Sequence, residues 1–513
     1  MKNFVIFFSL LFSTITILSQ ESTIIPTKKT QLGFAKIDFL SIDMPETSIV
    51  NEPNMGFTGI HYNLFIQEFI YTGIGLYGSV TGARGGFFTL GINTGIKKYF
   101  NNNFYLDTGL HFGGGGGGGA PDGGGAFILP HFNLGYEFKN FSINTGWSYV
   151  NFFDGGKIKG HQLNIGLEIP IDYDYSDYES SDITFKINDL KRTGWNKKSN
   201  RTSLMLHVNN LKIKGNTKDT KGNKYNGETI RLAGFEIASY INKNWFTFLK
   251  VDGAFDGIKA GYMDVFLGGG YHLAFNKNRT NLIGKFGIGA GGGGGVDTQG
   301  GFLIYPDISI EQKVFNDFYF SINKGYVMSP DSYFYTSSFG FGLKYYINRN
   351  GIISENNNFS KAKFKGLEFI VKQDLYLNAK RTSNPTENLH QISLQINVDL
   401  NKNLYVAGQT SFANFGNAGA YAEGIVGLGL KTNPFLNNTT RIFTQILGGA
   451  AGGGDISTGE GLIIKPSLGA DYQLNKQLSL RSSLGYIKAK GGKLNSTFLN
   501  FGIKYNISFL KLK

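Results

Sequence analysis

The residues best suited to chemistry lie in and around three glycine tracts. Each tract is followed by an aspartate and then, 11 or 12 residues after its last glycine, by a proline. Bare glycine N–H groups can approach an anionic ligand closely, and carboxylates are ligands for Ca²⁺. The aspartates are Asp122, Asp297 and Asp455, and the prolines are Pro130, Pro306 and Pro466.

Two interpretations of these glycine loops stay open. In one, the three aspartates and the glycine backbone bind a ligand such as a glycan or a phosphate. In the other, the glycines let hairpins bend or bulge at the rim of the barrel. Each proline then fits an edge-like or bulged start of a strand, because proline cannot donate to a ladder. The tracts lack the Gly-Lys-Ser/Thr of a phosphate loop and the Rossmann spacing. Too few acids accompany the aspartates for a metal site, so we predict no metal and no cofactor.

A second candidate site contains histidines. His111 and His131 are predicted on neighbouring strands, both facing inward with Asp107 and Glu137. A histidine beside a carboxylate can support hydrolysis. A polar network that fills a barrel explains the same residues, and the candidates change between copies of the unit described next. We therefore predict no catalytic residue and no enzyme. In the other two copies Asp307 and Ser467 stand in place of His131. Lys285 stands in place of Asp107.

The glycine tracts belong to a repeated unit. The strand-like segment before each tract starts at Phe104, Leu282 and Arg441, and similar segments also recur after each proline. The repeat period is about 160–176 residues, and such self-similarity is typical of tandem units. We predict copies at 20–172, 173–349 and 350–513, the last two each beginning with a linker.

Each unit is predicted to consist of strands. In the segment 390–400, apolar residues such as Ile392 and Leu394 alternate with polar residues such as Ser393 and Gln395. Strict alternation indicates a half-buried strand, and nine to eleven residues suffice to cross a bilayer at a tilt. About eight such segments per unit predict about 24 strands. In the third unit they start near Gly366, His390, Asn403, Ala420, Arg441, Leu462, Gln477 and Ser496.

Composition indicates an exported protein. A basic start, a short apolar stretch and a Ser/Thr-rich segment predict a signal peptide at 1–19. Glycine is 72 of 513 residues and cysteine is absent, which excludes disulfides and cysteine metal sites. A mean hydropathy of −0.14 would suit a soluble protein, but only half of each strand is apolar in a membrane barrel. Short Asn-rich turns alternate with longer Gly-rich loops, as in such barrels.

The chain resembles the small outer-membrane barrels of the OmpA and OmpX type, repeated three times. The aromatic residues near strand ends, such as Tyr136, Phe138 and Trp147, and the alternating last strand carry this resemblance. It covers most of the mature chain and implies a fold only. Barrels of this type usually end in an aromatic residue that the assembly machinery reads. Here the alternation reaches Phe509, although the chain continues to Lys513.

The fold class is therefore an all-β, transmembrane antiparallel β-barrel of about 24 strands, which close either once or three times. A wide barrel needs a plug, and no plug domain precedes the first strand. Polar linkers at 172–200 and 348–363 separate the units, which favours three small barrels. Mixed inward charges would pair in a small barrel but line a pore in a large one. These residues are Glu168, Lys344, Lys504, Asp307, Glu311, Arg481 and Asp471.

The predicted function is an outer-membrane protein of a Gram-negative bacterium with a structural or surface-binding role. Its glycine-rich outer loops would contact lipopolysaccharide, a glycan or a protein, and the net charge of +13 would favour anionic lipid. The predicted partners are outer-membrane lipids and the barrel-assembly machinery, with no nucleic acid. A porin-like passive channel and a membrane-embedded hydrolase are the alternatives.

Overall fold

A computed structural model describes residues 26–513 apart from 48, 226, 258–259, 332 and 355–358. The predicted signal peptide at 1–19 lies outside the described residues. The described chain has 25 strands, one 3₁₀ turn at Tyr178–Ser180 and one short helix, α1, at Ile187–Leu190. Among the described residues, no helix combines the length and the apolar composition needed to cross a membrane.

The strands fall into three groups of eight, with one short strand, β9 (Thr184–Lys186), after the first group. The first strand group is β1 (Lys29–Ile42), β2 (Met55–Phe65), β3 (Ile70–Thr81), β4 (Phe88–Tyr99), β5 (Phe104–Gly116), β6 (Phe127–Glu137), β7 (Ser142–Phe152) and β8 (Lys159–Tyr175). The second strand group is β10 (Asn200–Ile213), β11 (Thr229–Tyr240), β12 (Trp245–Asp256), β13 (Met263–Phe275), β14 (Thr280–Gly292), β15 (Phe302–Phe315), β16 (Phe318–Met328) and β17 (Tyr335–Arg349). The third strand group is β18 (Lys361–Ala379), β19 (Glu387–Asp399), β20 (Leu404–Phe415), β21 (Ala422–Lys431), β22 (Thr440–Gly452), β23 (Leu462–Gln473), β24 (Leu478–Ala489) and β25 (Asn495–Leu512).

Neighbouring strands pair antiparallel throughout. The first strand group is a closed barrel, in which β8 pairs with β1. The other seventeen strands form one connected sheet, in which β10 pairs with β17 along its whole length and β18 pairs with β25. Pairing within each strand group thus returns to the first strand of that group. Between β17 and β25 the described ladder consists of the single pair Arg349↔Lys511.

The connections alternate in length, which gives the molecule two different ends. Short turns such as 66–69 and 100–103 lie at one end, and longer loops such as 43–54 and 117–126 lie at the other. We call these the short-turn end and the long-loop end. The first strand starts and the last strand finishes at the short-turn end, because each strand group has an even number of strands.

The two faces of the strands carry opposite kinds of side chain. On the outward face of β17, Phe339, Phe341 and Leu343 are 49%, 46% and 59% exposed. On its inward face Lys344 is 1% exposed. A water-soluble protein buries apolar side chains and exposes charged ones, because an unpaired buried charge is costly. The arrangement here is the reverse, and it matches a barrel whose outer surface faces an apolar medium.

Each strand group also holds a compact apolar cluster inside its long-loop end. In the first strand group, Phe57, Tyr77, Phe87 and Phe152 are at most 1% exposed and pack in one cluster. The rings of Phe57 and Tyr77 stack with centroids 4.8 Å apart. The second and third strand groups have equivalent clusters. Apolar clusters therefore fill part of each interior, and buried polar side chains fill the rest.

The predicted linker at 172–200 is more structured than its polar composition indicated. Besides the 3₁₀ turn, β9 and α1, it contains three apolar side chains, Phe185, Leu190 and Trp195, which are at most 8% exposed. They pack on Phe364 of β18 and Leu510 of β25. β9 also pairs with β18, which makes the strand count 25 rather than 24. The linker folds because the extended ends of β18 and β25 give it an apolar surface to cover.

The sequence predicts an edge-like or bulged start of strand at each proline, and the structure shows no bulge there. Pro130, Pro306 and Pro466 lie within β6, β15 and β23. The ladder from β6 to β7 omits Pro130 and the residue before it, and then resumes in the same register. The same omission occurs in the other two groups. Each proline therefore removes one ladder hydrogen bond without inserting an extra residue.

Candidate functional site

The glycine tracts lie where one strand group meets another. In each case the third strand of one group contacts the fifth strand of the next: β3 contacts β14, β12 contacts β22, and β20 contacts β5. Near these contacts, side chains of all three groups form one buried apolar cluster. The glycine tracts continue the fifth strands, so their neighbours are other parts of this chain. The cluster includes Phe88, Leu90, Val265, Ala290 and Phe412.

Glycine is required at these contacts because the backbones approach too closely for a Cβ atom. A Cβ added at Gly86, where φ is +85°, would lie 2.2 Å from the backbone nitrogen of Gly293. A Cβ added at Gly452 would lie 2.5 Å from the backbone nitrogen of Gly261. The first pair joins the first and second strand groups, and the second pair joins the second and third. A larger residue at either position would push the two groups apart.

The contact between the third and first strand groups is built in the same way. A Cβ added at Gly114 would lie 2.3 Å from the carbonyl oxygen of Ala413. The backbone N–H of Gly419 donates to the carbonyl oxygen of Gly123 at 3.1 Å. The loops thus satisfy some of their backbone groups across the contact, as buried backbone requires. Neither the ligand interpretation nor the rim interpretation of the glycine tracts anticipated this packing.

The three predicted ligand-binding aspartates lie in separate loops, and each is bonded within its own strand group. Asp122 accepts from the backbone N–H of Gly117 at 2.8 Å. Asp297 accepts from the hydroxyl of Tyr333 at 2.9 Å. Asp455 accepts from the side-chain amide of Asn384 at 2.7 Å. Within the part of the chain that the structure describes, no group of three or more His, Cys, Asp or Glu side chains could hold a metal ion.

Asp122 and Asp455 differ in their electrostatic surroundings. Burial among the glycine loops raises the pKa of Asp122 to about 7, against a weaker opposing effect of the Gly117 N–H. Burial acts in the same direction on Asp455, but hydrogen bonds from Asn384 and Ser383 outweigh it and lower the pKa of that carboxyl. The corresponding loops of the first and third strand groups therefore hold a carboxyl that protonates near neutrality and one that stays ionised.

The predicted histidine cluster is partly assembled. His131 lies 3.3 Å from Asp107, whose other oxygen accepts from Tyr71 at 2.8 Å. His111 bonds instead to Asn93 at 2.5 Å. Glu137 is not part of the cluster, because it is the last residue of β6 and lies well along the strand from His131.

The cavity beside these histidines has a volume of about 20 Å³. A cavity of this size has room for about one water molecule, which is far less than a lipid or peptide substrate requires. Sequence reasoning missed several of its lining residues, among them Asp38, His61 and Tyr77. Asp38 accepts from the Tyr77 hydroxyl at 3.0 Å and lies 3.2 Å from His61. These positions were detectable as polar residues at alternate positions of otherwise apolar strands.

The inward charges are paired across the interiors. In the second strand group, Lys344 lies 2.9 Å from Glu311 and 3.6 Å from Glu236. Glu236 also lies 2.7 Å from Lys285, whose second partner is Asp307. These side chains come from different strands and cross the space between them. Buried charges are tolerable only when paired in this way, so the pairs also fill the interior.

The other two strand groups follow the same rule. In the first, Lys97 lies 2.5 Å from Glu168. In the third, Asp471 lies 2.7 Å from Lys504 and 3.2 Å from Arg481. All seven inward charges named from the sequence thus have an oppositely charged partner inside their own strand group.

The linker after the first strand group contributes a side chain to the third. The hydroxyl of Tyr178 donates to Asp399 at 2.6 Å and to Glu368 at 2.9 Å. Lys431 lies 5.1 Å from the centre of the Tyr178 ring and also pairs with both carboxylates. Tyr178 therefore covers the short-turn end of the third interior. The polar composition of the linker gave no signal for this contact.

Comparisons with known proteins give likenesses at low similarity. The sequence matches no protein-family model and no curated protein. OpdQ of Pseudomonas aeruginosa is 9% identical with a TM-score of 0.21, over 94% of this chain and 98% of that chain. The siderophore receptor PirA from Acinetobacter baumannii is 9% identical with a TM-score of 0.27, and the match covers 94% of this chain and 81% of PirA. A mutant of the ferric enterobactin receptor PfeA from Pseudomonas aeruginosa is 8% identical with a TM-score of 0.27, and the match covers 92% of this chain and 80% of the receptor. Likenesses with TM-scores this low carry no argument about function.

Proposed function

We propose that this chain is an integral protein of the bacterial outer membrane with a structural or surface-binding role. The observation that carries the proposal is the inversion of the strand faces, apolar outside and charged inside. The backbone N–H and C=O groups of a closed antiparallel barrel bond to one another, and they must do so because lipid hydrocarbon offers them no hydrogen-bond partners. On β8 the outward residues Leu163, Ile165 and Ile169 are 78%, 55% and 46% exposed. Water would penalise such a surface, whereas hydrocarbon would not.

Aromatic side chains at the short-turn end support the membrane location. The rings of Phe104 and Tyr136 lie 4.9 Å apart, those of Tyr136 and Phe138 lie 4.9 Å apart, and those of Phe138 and Phe141 lie 4.8 Å apart. They form a continuous, exposed row from the start of β5 and the end of β6 into the turn at 138–141. Girdles of aromatic residues are typical of the membrane–water interface of outer-membrane barrels.

The proposal includes three separate barrels of eight strands, one for each predicted copy. The ladders from β10 to β17 and from β18 to β25 support it, because each joins the first and last strands of one group. The proposed copies at 20–172, 173–349 and 350–513 contain these groups, apart from the last three residues of β8. The resemblance to the small OmpA- and OmpX-type barrels belongs to the same proposal.

Filled interiors favour a structural role over an open channel. Apolar clusters occupy the long-loop ends, and crossed ion pairs such as Lys344 with Glu311 occupy the middle. The barrels would then act as a rigid base that holds the long loops at the cell surface. Those loops, with Asp122, Asp297 and Asp455, would contact lipopolysaccharide, a glycan or a protein partner. The assembly machinery would read the end of β25, which includes Phe509.

The first test is the conductance of the refolded full-length protein in a planar bilayer, with a porin as the positive control. The proposal predicts no conductance, or only small and flickering steps. Large, stable open steps would contradict it and would favour the porin-like passive channel. The double variant Lys344→Ala/Glu311→Ala shortens two side chains that cross the second interior. It should conduct more than the wild type if filling is what blocks ions.

A further inference from the structure

A pocket opens at the short-turn end of the second strand group. Its volume is about 160 Å³, several times the roughly 30 Å³ that one water molecule occupies in the liquid. The lining comes from the start of β10, the turn between β11 and β12, and the end of β17. The pocket therefore has room for a polyatomic ligand together with water.

The lining of this pocket is basic. Three of its ten residues are cationic, namely Lys198, Arg201 and Lys243, and none of the ten is acidic. The remaining residues include Asn242 and Asn348, whose side-chain amides can donate. The inward carboxylate of Glu311, which accepts from Tyr346, is also paired with Lys344. The local charge thus favours an anion.

Arg201 is held in place by aromatic rings. Its guanidinium carbon lies 4.5 Å from the centre of the Tyr240 ring and 4.4 Å from that of the Tyr346 ring. Both rings are fixed from behind, since Tyr346 donates to Glu311 at 2.6 Å and the Tyr240 hydroxyl lies 2.7 Å from a nitrogen of His272. A guanidinium packed on rings keeps its N–H groups in its own plane for an acceptor. This preorganisation lowers the entropic cost of binding.

The other strand groups lack this arginine at the corresponding position. In the second group Arg201 pairs with Asn348, four residues after Lys344. In the first group the residue four positions after Glu168 pairs with Leu32. In the third group the residue four positions after Lys504 pairs with Gly366. Interior packing therefore does not require a cation here, and the arginine is a feature of the second group.

We propose that this pocket binds a phosphate group, either as a free phosphate ester or as the headgroup of a lipid. The guanidinium of Arg201 would form paired N–H···O bonds to two phosphate oxygens, which is the geometry that arginine favours. Lys243 would supply further positive charge. The proposal goes beyond the structural role proposed above and does not depend on the number of barrels.

The test titrates the full-length protein in neutral detergent with glycerol phosphate, and separately with short-chain phosphatidic acid, by calorimetry. Saturable binding by the wild type and a loss of at least about tenfold in affinity for Arg201→Gln are expected, because hydrogen bonds to charged groups are worth more than 1 kcal/mol. Arg279→Gln is the matched control, because Arg279 is exposed in the turn between β13 and β14 at the same end. It should bind like the wild type.

Two further comparisons decide the outcome. Arg201→Lys keeps the charge but loses the planar fork, so it should bind with intermediate affinity, which also guards against a folding defect in Arg201→Gln. Much tighter binding of phosphatidic acid than of glycerol phosphate identifies a lipid headgroup, and equal binding identifies a free ester. The proposal is overturned if the wild type shows no saturable binding of either probe. It is also overturned if Arg201→Gln and Arg279→Gln lose affinity equally, which would indicate only general attraction to a basic surface.

Discussion

The long-loop end and the short-turn end join the three strand groups in different ways. At the long-loop end the contacts are glycine backbones, repeated three times with the same pairing of third and fifth strands. At the short-turn end they are the single ladder pair Arg349↔Lys511, the pairing of β9 with β18, and side chains of the linker such as Trp195 and Tyr178. The three strand groups thus resemble one another where one geometry is needed three times. They differ where each interior ends in its own way.

The largest effect is expected from removing the main linker side chain at the short-turn end. Trp195 is fully buried and donates to the carbonyl of Pro26 at 3.0 Å. Trp195→Ala should lower the free energy of unfolding by about 4 kcal/mol, because the lost ring leaves a cavity. Trp245, which is 54% exposed, is the control, and Trp245→Ala should cost about 1 kcal/mol or less. Guanidinium unfolding in micelles, followed by circular dichroism, measures both. Equal losses would mean that the linker does not hold the short-turn end together.

A somewhat smaller effect is expected at a glycine contact of the long-loop end. Gly86→Val should cost about 3 kcal/mol, because the side chain would meet the backbone of Gly293 and φ is positive. Gly155 also has a positive φ, of +70°, but no atom lies within 4 Å of an added Cβ. Gly155→Val should therefore cost only about 1 kcal/mol, from backbone strain alone. The same unfolding assay compares them, and similar values would refute close packing between the groups.

The smallest effect concerns the pH response of the long-loop end. Because burial raises the pKa of Asp122 to about 7, the folded protein binds a proton more tightly there than the unfolded chain. The contribution of this protonation to the free energy of unfolding is fully present below about pH 4. It falls by roughly 2 kcal/mol, allowing for partial exposure, as the pH rises to about 7.

Asp122→Asn should remove this slope from the unfolding free energy between about pH 4 and pH 7. Asp455→Asn, in the equivalent loop of the third strand group, is the control. The pKa of Asp455 is lowered, so its own contribution is lost only at more acidic pH and the slope should remain. A slope that persists in Asp122→Asn would show that this carboxyl is not the group that titrates.

The regular part of the fold was predictable from the sequence because strands have a short period. In the third strand group the expected starts at Arg441, Leu462 and Ser496 lie within one residue of the observed strands, and the start near Gly366 differs most, by five residues. Alternation identifies a strand locally and needs no information about distant residues. The paired inward charges follow from the same alternation.

The contacts between distant segments were not predictable in this way. Nothing in the spacing of the glycine tracts indicates that Gly452 meets Gly261, because that contact depends on how whole strand groups pack. The three-residue strand β9 and the short helix α1 are likewise too brief to show a period. Their apolar residues fold against the ends of β18 and β25, which lie far away in the sequence. Of the candidate site, sequence analysis found the histidines, Asp107 beside His131 and the loop aspartates. It did not find Tyr71, Asn93 or the partners of the aspartates.

The pairing of a third strand with the fifth strand of the next group has a consequence for how the molecule is assembled. Each group carries both halves of the contact, and the contact closes after three steps, as in a heterologous cyclic ring. Separate chains with this interface would form a ring only above a threshold concentration. Joining the three strand groups in one polypeptide fixes their order and number and makes the closure intramolecular. The groups can then differ in sequence, and an arginine can lie in one of them without being imposed on the other two.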